Sequence, residues 1–406
     1  MATKEERQLL VTNKHGPTYK LHLNKETKRT TIAKALLANQ TVKHMSIFVE
    51  SNFMMGVSPE SLRNLFRAIG SLPLENLHIY SYGDNMDIFP VQLIGDVLKV
   101  AFKLEVLACY FIELAGGKVS FDKFQDDLIE HPSLREVRFE SCQLSDRMLT
   151  THGITDKFFE ALASLPNLES LDLTAPEKGY FGTISPAYLE HVAGTTERLS
   201  SLNLINFVLD NEHMSALNRA LRINRDLVDL AISVSPDINS KLPALLATTR
   251  YLRHLKLQFD TLDDEKFLLK IAKGLEKSNN ISRFELLLGD NPARLSPRCQ
   301  RAFSAVPEKN GNIQYMDVEI TDRRLASKAE FFLEVNSDGT RQMFENPYST
   351  TEEIMDALIF ASDDLQMVYY FLRTRPSLCD IQEVQYYEDD LTDVLSYETY
   401  DNGLCL

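Results

Sequence analysis

Short stretches of the chain alternate between apolar and polar residues, and the stretch LREVRFESCQLS at 134–145 shows the full pattern. Apolar or Cys residues occupy its first, fourth, sixth, ninth and eleventh positions, which are Leu134, Val137, Phe139, Cys142 and Leu144. The centre alternates as a half-buried strand does, whereas the ends fit neither helix nor strand spacing. The pattern therefore predicts a short strand flanked by segments of a different kind.

This pattern recurs ten times along the chain. The copies begin at positions 42, 74, 104, 134, 168, 199, 227, 252, 281 and 313, so they are 25 to 34 residues apart. Such a period indicates a repeat architecture in which one unit cannot bury its apolar side alone and stacks on its neighbours. The sequence therefore predicts one continuous core shared by stacked units.

The segments between the copies have helical spacing. In the segment 58–73, Ser58 can cap a helix and Pro59 suits its first turn. One apolar face follows at steps of three and four residues: Leu62, Leu65, Phe66 and Ile69. Similar helices are predicted in the segments 156–166, 185–194, 210–224 and 264–278. Each unit is therefore a strand, a turn, a helix and a return.

The repeat resembles the leucine-rich repeat, L-x-x-L-x-L-x-x-N/C-x-L, and with a helix in each unit it is most similar to the ribonuclease-inhibitor type. The resemblance covers residues 18–325. It implies an α/β fold: a right-handed solenoid, or horseshoe, with a concave parallel sheet and convex helices. The ninth position is usually Asn or Cys, but only Cys142 conforms, so we expect irregular turns. The insert 174–186 should form a loop at the sheet edge.

Residues 1–40 are expected to form an N-terminal cap with a degenerate first repeat, ahead of the repeats at 41–325. The segment TYKLHL at 18–23 alternates like a strand, and the segment 28–40 has a helical pattern. A hairpin over 9–23 is an alternative for the start of the chain.

Residues 326–375 are predicted to form a small α+β cap. The segment 329–344 suggests a strand, a turn and a second short strand, and two helices are expected over 349–362 and 363–380. The segment FLRTRPSLC at 371–379 resembles the C-terminal segment of uncharacterised algal leucine-rich repeat proteins, which implies no activity.

Residues 376–406 form an acidic tail with eight Asp or Glu residues and no Lys or Arg. Its composition fits a solvated segment that aids solubility. The alternative is a segment that docks on a basic partner or on the protein's own surface.

Charge and motif content exclude several functions. A formal net charge of −15 argues against nucleic-acid and anionic-membrane partners, and no run of 18 apolar residues could span a bilayer. Phosphate-loop, dinucleotide, zinc-protease and nucleophile-elbow patterns are absent, so we expect no cofactor, no metal and no catalytic residue. Five scattered cysteines suit reduced thiols in a cytoplasmic or nuclear protein, and Cys109 and Cys142 fall at core positions.

Candidate binding residues lie at the strand positions that the apolar pattern leaves free. Side chains alternate across a strand, so these residues should face the concave side. An aromatic strip with Arg138 beside it is expected in the first repeats, and Arg283, His254 and Lys256 make a weaker basic cluster. The full set of candidates is Phe48, His78, Tyr80, Tyr110, Arg138, Asp172, Asn203, Lys256 and Arg283. Alternatively, the N-terminal cap or the insert covers the aromatic residues as ordinary core.

These features predict a non-catalytic protein–protein interaction scaffold that binds a protein partner on its concave face. One alternative is a substrate adaptor of a ubiquitin ligase, with the closing helices engaging the ligase. Another is a regulator of a small GTPase, for which Arg138 and Asn203 are candidates by position. The sequence leaves the oligomeric state open.

Overall fold

The computed structural model describes residues 16–374 apart from short gaps. The gaps are 26, 51–52, 55–56, 82–85, 145–153, 177–183, 196–197, 208, 235–241, 243–244, 247–248, 260–264, 289–294, 338–340, 342, 344–345, 347–348 and 361–364. The predicted acidic tail, most of the predicted insert loop and the first half of the alternative hairpin lie outside the described residues.

Fourteen strands occur in the described part of the chain. They are β1 Thr18–Leu23, β2 His44–Val49, β3 Asn76–Ser81, β4 Asp87–Pro90, β5 Val106–Tyr110, β6 Ile112–Ala115, β7 Glu136–Glu140, β8 Gln143–Leu144, β9 Ser170–Thr174, β10 Ser201–Leu204, β11 Asp229–Val234, β12 His254–Phe259, β13 Arg283–Leu288 and β14 Tyr315–Asp317. Eleven form one parallel sheet in the order β1-β2-β3-β5-β7-β9-β10-β11-β12-β13-β14. The ten predicted repeat strands and the opening strand are therefore confirmed.

Helices follow the strands of the main sheet as the spacing predicts. They are α1 Arg29–Leu37, α2 Pro59–Gly70, α3 Val91–Leu98, α4 Lys118–Ile129, α5 Ile154–Ala163, α6 Pro186–Thr195, α7 Asn211–Ile223, α8 Glu265–Lys277, α9 Pro297–Ser304, α10 Val306–Lys309, α11 Arg323–Ser337, α12 Thr351–Phe360 and α13 Leu365–Thr374. The Ser58 side chain caps α2 by accepting from the Ser61 amide, and Pro59 opens the helix. None of the described helices is long and apolar enough to cross a membrane.

The core lies between the main sheet and the helices. The register aligns equivalent apolar residues of successive strands, so that Leu77, Leu107, Val137 and Leu171 form one row across the sheet. All four are buried, and the same cluster continues from Tyr19 in β1 to residues beyond β13. Stacked strand–helix units with a shared core and an open sheet make this part of the chain a leucine-rich repeat solenoid.

A second, smaller sheet forms beside the turns of three successive repeats. The strands β4, β6 and β8 are parallel and adjacent in that order. Phe111 and Ser141, with φ of 57° and 51°, take left-handed backbone at the corners between the two sheets. The Cys142 thiol donates to the Cys109 carbonyl oxygen at 3.3 Å, as expected of the ninth repeat position. The sequence predicted irregular turns here but not this sheet.

The return from helix α7 to strand β11 relies on the buried side chain of Asn224. The Asn224 amide nitrogen donates to the Ala193 carbonyl oxygen of the preceding repeat at 2.8 Å. Its amide oxygen accepts from the backbone N–H groups of Asp226 and Leu227 at 2.7 and 2.9 Å. One side chain thus shapes its own turn and joins it to the neighbouring repeat.

The strand predicted from residue 329 is wrong, because this segment belongs to helix α11. Its buried residues Ala329, Phe332 and Val335 are three apart, which places them on one helical face. The predicted second strand falls mainly on residues outside the described part, whereas α12 and α13 confirm the two predicted helices. The described elements of the closing segment are therefore the helices α11, α12 and α13.

The chain divides into two compact units, residues 1–337 and 338–406. The first contains both sheets and the helices α1 to α11. The second contains α12 and α13, which are the described helices beyond Ser337.

Candidate functional site

Alternate residues of each strand project from the sheet face that points away from the helices, here called the outward face. Four of them form the aromatic row, defined as His22, Phe48, Tyr80 and Tyr110, which are aligned by the register of β1, β2, β3 and β5. Successive rings stack with centroids 4.9, 5.1 and 4.6 Å apart. These distances match the spacing between neighbouring strands, so the sheet itself builds the stack.

His78 extends the aromatic row by one ring. It lies in β3 two residues before Tyr80, and its ring stacks against Tyr110 with centroids 6.1 Å apart. The residue beside His78 in β5 is the small, fully buried Ala108. A small side chain at this position leaves room for the diagonal contact between His78 and Tyr110.

The rings of the aromatic row are partly exposed and not part of the core. Phe48, Tyr80 and Tyr110 all have intermediate exposure. Burial lowers the pKa of His78 and raises the pKa values of Tyr80 and Tyr110, so these three side chains are uncharged at neutral pH. The part of the outward face formed by His78, Tyr80 and Tyr110 is therefore aromatic and uncharged.

Arg138 ends the aromatic row and begins a charged region. Its guanidinium lies 3.5 Å from the Tyr110 hydroxyl, donates to Glu136 at 2.9 Å and lies 3.7 Å from an Asp172 oxygen. Burial alone would lower the pKa of Arg138, but Tyr110, Glu136 and Asp172 together raise it, so the arginine stays charged. Burial raises the pKa of Asp172, against the opposing effects of the Thr174 hydroxyl and Arg138.

A shallow groove of about 330 Å³ continues along the outward face from Arg138. Its lining includes five of the nine candidate residues, namely Arg138, Asp172, Asn203, Lys256 and Arg283. The other four candidates, Phe48, His78, Tyr80 and Tyr110, belong to the aromatic row or stack against it. Both groups lie on the same face and meet where Arg138 contacts Tyr110.

The basic cluster expected near Arg283 is neutralised by acidic neighbours. Arg283 and Lys256 both pair with Glu285, at 2.6 and 3.6 Å, and His254 pairs with Asp229. The Arg283 guanidinium also lies 4.4 Å from the centre of the Tyr315 ring. This end of the groove therefore alternates positive and negative groups.

Sequence reasoning missed His22, Glu136 and Asp229 as members of this surface. Strand alternation places Glu285 on it, although Glu285 was not among the candidate residues. A usable signal existed for His22, because TYKLHL places it at the same strand position as Phe48. Glu136 and Glu285 contact arginines two residues away on their own strands. The contacts of Asp229 with His254 and of Glu285 with Lys256 follow from the cross-strand register.

Two chemical features of the described residues bear on catalysis. First, the described residues include no cluster of three or more His, Cys, Asp or Glu side chains suited to a metal ion. Cys109 and Cys142 are buried as predicted, and burial raises the pKa of the Cys142 thiol to about 12. Both thiols are therefore protonated and hidden from solvent.

Comparison with known proteins gives only remote similarities. No protein-family model matches the chain, and no curated protein matches it. A tropomodulin C-terminal domain from Caenorhabditis elegans is 15% identical over 39% of this chain and 96% of its own, with a TM-score of 0.33.

The leucine-rich repeat-containing protein LegL7 from Legionella pneumophila is also 15% identical, over 78% of this chain and 97% of its own, with a TM-score of 0.45. Leiomodin-1 actin-binding site 2 is 14% identical over 56% of this chain and 94% of its own, with a TM-score of 0.25. The assignment of the fold rests on the strand order and register of the protein itself.

Proposed function

We propose that this protein is a non-catalytic interaction module whose protein partner docks on the outward face, the face that the repeat pattern predicts to be concave. The observation that supports this proposal is the aromatic row, in which partly exposed rings stack in register beside Arg138. Aromatic and Arg side chains dominate the energy of many protein interfaces.

The arrangement suits a partner surface with an apolar centre and a polar rim. Stacked rings are already ordered by the sheet, so little side-chain entropy is lost when a partner covers them. The alternating charges of the adjacent groove offer both signs to the partner and favour one docking register.

Regulation of a GTPase is the weaker candidate. Catalytic arginines in that reaction insert into the site of the bound nucleotide. Arg138 is instead tied to Glu136 and Asp172 and lies against Tyr110. This pairing supports a role for Arg138 in the docking surface.

The experiment begins with affinity purification of partners by the full chain, followed by mass spectrometry and binding measurements with each purified candidate. The variant carrying Tyr80→Ala and Tyr110→Ala should weaken binding at least about tenfold, as expected for interface aromatic residues. The control is Phe102→Ala, because Phe102 is 64% exposed and lies in the return turn before β5, outside the aromatic row.

The Phe102→Ala variant should bind as the wild type does, and circular dichroism should show both variants to be folded. Unchanged affinity of the folded double variant would reject the aromatic row as the docking site. Detectable GTP hydrolysis stimulated by the wild-type protein, lost on Arg138→Ala, would instead favour the GTPase hypothesis.

A further inference from the structure

A basic pocket lies on a different part of the solenoid, where helices return to strands. The cavity has a volume of about 680 Å³ and is formed by the end of α7, the segment before β12 and the end of α8. Four cationic side chains line it, those of Arg222, Arg225, Arg250 and Lys277, and no Asp or Glu is among its described lining residues. It shares no lining residue with the groove on the outward face.

These cations differ from other exposed cations of the repeats. Arg219 on the same helix α7 pairs with Glu190 of the preceding repeat, and Lys309 pairs with Glu276 in the same way, both at 2.6 Å. Within the described part of the chain, the four pocket cations make no side-chain hydrogen bond or ion pair. Uncompensated positive charge of this kind, in a chain of net charge −15, favours an anionic ligand.

Interaction with a helix end explains the positions of only two of the four pocket cations. Arg222 and Lys277 lie in the last turns of α7 and α8, where a cation offsets the partial negative charge of the helix end. Arg225 and Arg250 lie beyond the ends of helical segments, in the turns that follow them. In the turn of Arg250 a carbonyl is already bonded by a neutral side chain. Asn280 donates to the Thr249 carbonyl oxygen at 3.0 Å, so Arg250 is not required for that purpose.

The size and chemistry of the pocket define its ligand. Its volume is in the range of small-molecule sites, and a single phosphate would fill only a small part of it. Arginine offers paired donors that match phosphate oxygens, and three of the four cations are arginines. Leu246 and the partly exposed Tyr251 add apolar wall. We propose that this pocket binds a small molecule that carries two or more phosphate groups.

Calorimetric titration of the purified full chain with inorganic tripolyphosphate tests this proposal. We expect saturable binding of one molecule per chain that weakens as salt is raised. The double variant Arg225→Gln and Arg250→Gln should lower the affinity at least about tenfold, because two charge-assisted contacts are lost. The control is Arg219→Gln, which removes one positive charge from α7 outside the pocket and should change the affinity less than about twofold.

Four results would overturn the proposal. The first is that the wild type shows no saturable binding of tripolyphosphate, and the second is that Arg219→Gln loses as much affinity as the double variant. The third is binding only to vesicles with phosphorylated lipid headgroups. The fourth is tighter binding of a hexaglutamate peptide than of tripolyphosphate. The second would indicate a long-range charge effect, the third a lipid surface and the fourth an acidic protein segment. Thermal melts of each variant confirm that it is folded before titration.

Discussion

His131 is a buried histidine in the return turn between α4 and β7, and only 2% of its surface is exposed. One ring nitrogen, Nε2, lies 3.0 Å from the Ala101 carbonyl oxygen, and Nδ1 is buried without a hydrogen-bond partner in the described part of the chain. Burial lowers the pKa of His131, against the smaller opposing effect of the bond to Ala101. The folded protein therefore holds this side chain neutral, donating from Nε2 to the carbonyl.

We expect His131 to make the protein less stable as the pH falls below about 6.5. The unfolded chain takes up a proton at the ordinary histidine pKa of about 6.5, whereas the folded chain does so only at a lower pH. Between these values the unfolded state binds more protons, so the free energy of unfolding decreases as the pH decreases. At pH 5.5 the loss from this residue has an upper limit of about 1.4 kcal/mol.

The variant His131→Gln keeps a donor for the Ala101 carbonyl but cannot take up a proton. Urea unfolding at pH 7.5 and pH 5.5 should show a smaller decrease in stability for this variant than for the wild type. His78, whose pKa is also lowered by burial, contributes in the same direction and is unchanged in both proteins. Equal decreases in the two proteins would show that His131 does not titrate differently on folding.

Helix α3 lies close to Gly70, the last residue of α2. A Cβ atom at Gly70 would lie 2.9 Å from the Val97 carbonyl oxygen and 3.1 Å from the Val97 Cα atom. Both are backbone atoms, so α3 would have to move as a whole. We therefore expect Gly70→Ala to destabilise the protein by about 1 kcal/mol or more, measured by urea unfolding, although Ala favours a helix.

Gly194→Ala is the matched control, since Gly194 is the penultimate residue of α6 and also faces the next helix. Its added Cβ would lie 3.4 Å from Ala220 of α7, an ordinary contact. The helix propensity of Ala then dominates, and the stability should be unchanged or increase by up to about 1 kcal/mol. Equal effects of the two substitutions would contradict the argument from helix spacing.

At the scale of elements, the sequence predicts what periodicity determines. The repeat length locates ten of the eleven strands of the main sheet, and the alternation of TYKLHL locates β1. Strand alternation also places Phe48, Tyr80 and Tyr110 side by side. Periodicity is a weaker guide in AEFFLEV at 329–335, because so short a segment fits both strand spacing and helix spacing. The packing of Phe332 and Val335 determines its helical form. The pairing of Arg138 with Asp172 depends on register and rotamers, which no local pattern encodes.

At the scale of the whole molecule, the open ends of the repeat array require covering. Helix α11 packs against α9 and α10 at the end where β14 is the last strand. It buries Phe332 and Val335. The Asn336 amide nitrogen lies within 3.3 Å of three carbonyl oxygens, those of Pro307, Asn310 and Ile313. The array therefore ends with α11 and not with the last repeat strand.

Two truncations test this boundary. A chain ending at Ser337 should keep the unfolding midpoint of the repeats, because α11 remains in place. A chain ending at residue 325, the boundary that the repeat pattern suggests, should be less stable by about 3 kcal/mol or more, since it exposes the apolar surface under α11 and loses the hydrogen bonds of Asn336. Urea unfolding followed by circular dichroism gives both midpoints, and equal midpoints would show that α11 does not cap the array.

The chain ending at Ser337 also separates the interaction module from the ubiquitin-ligase adaptor. It keeps the aromatic row, the groove beside Arg138 and the helix that closes the repeats, and it lacks α12 and α13. If partner binding requires only the outward face, this chain should bind the purified partner with the affinity of the full chain. If the closing helices recruit a ligase, it should still bind the partner but no longer support ubiquitin transfer to it. A folded truncated chain that has lost the partner itself would show that docking on the outward face is not sufficient.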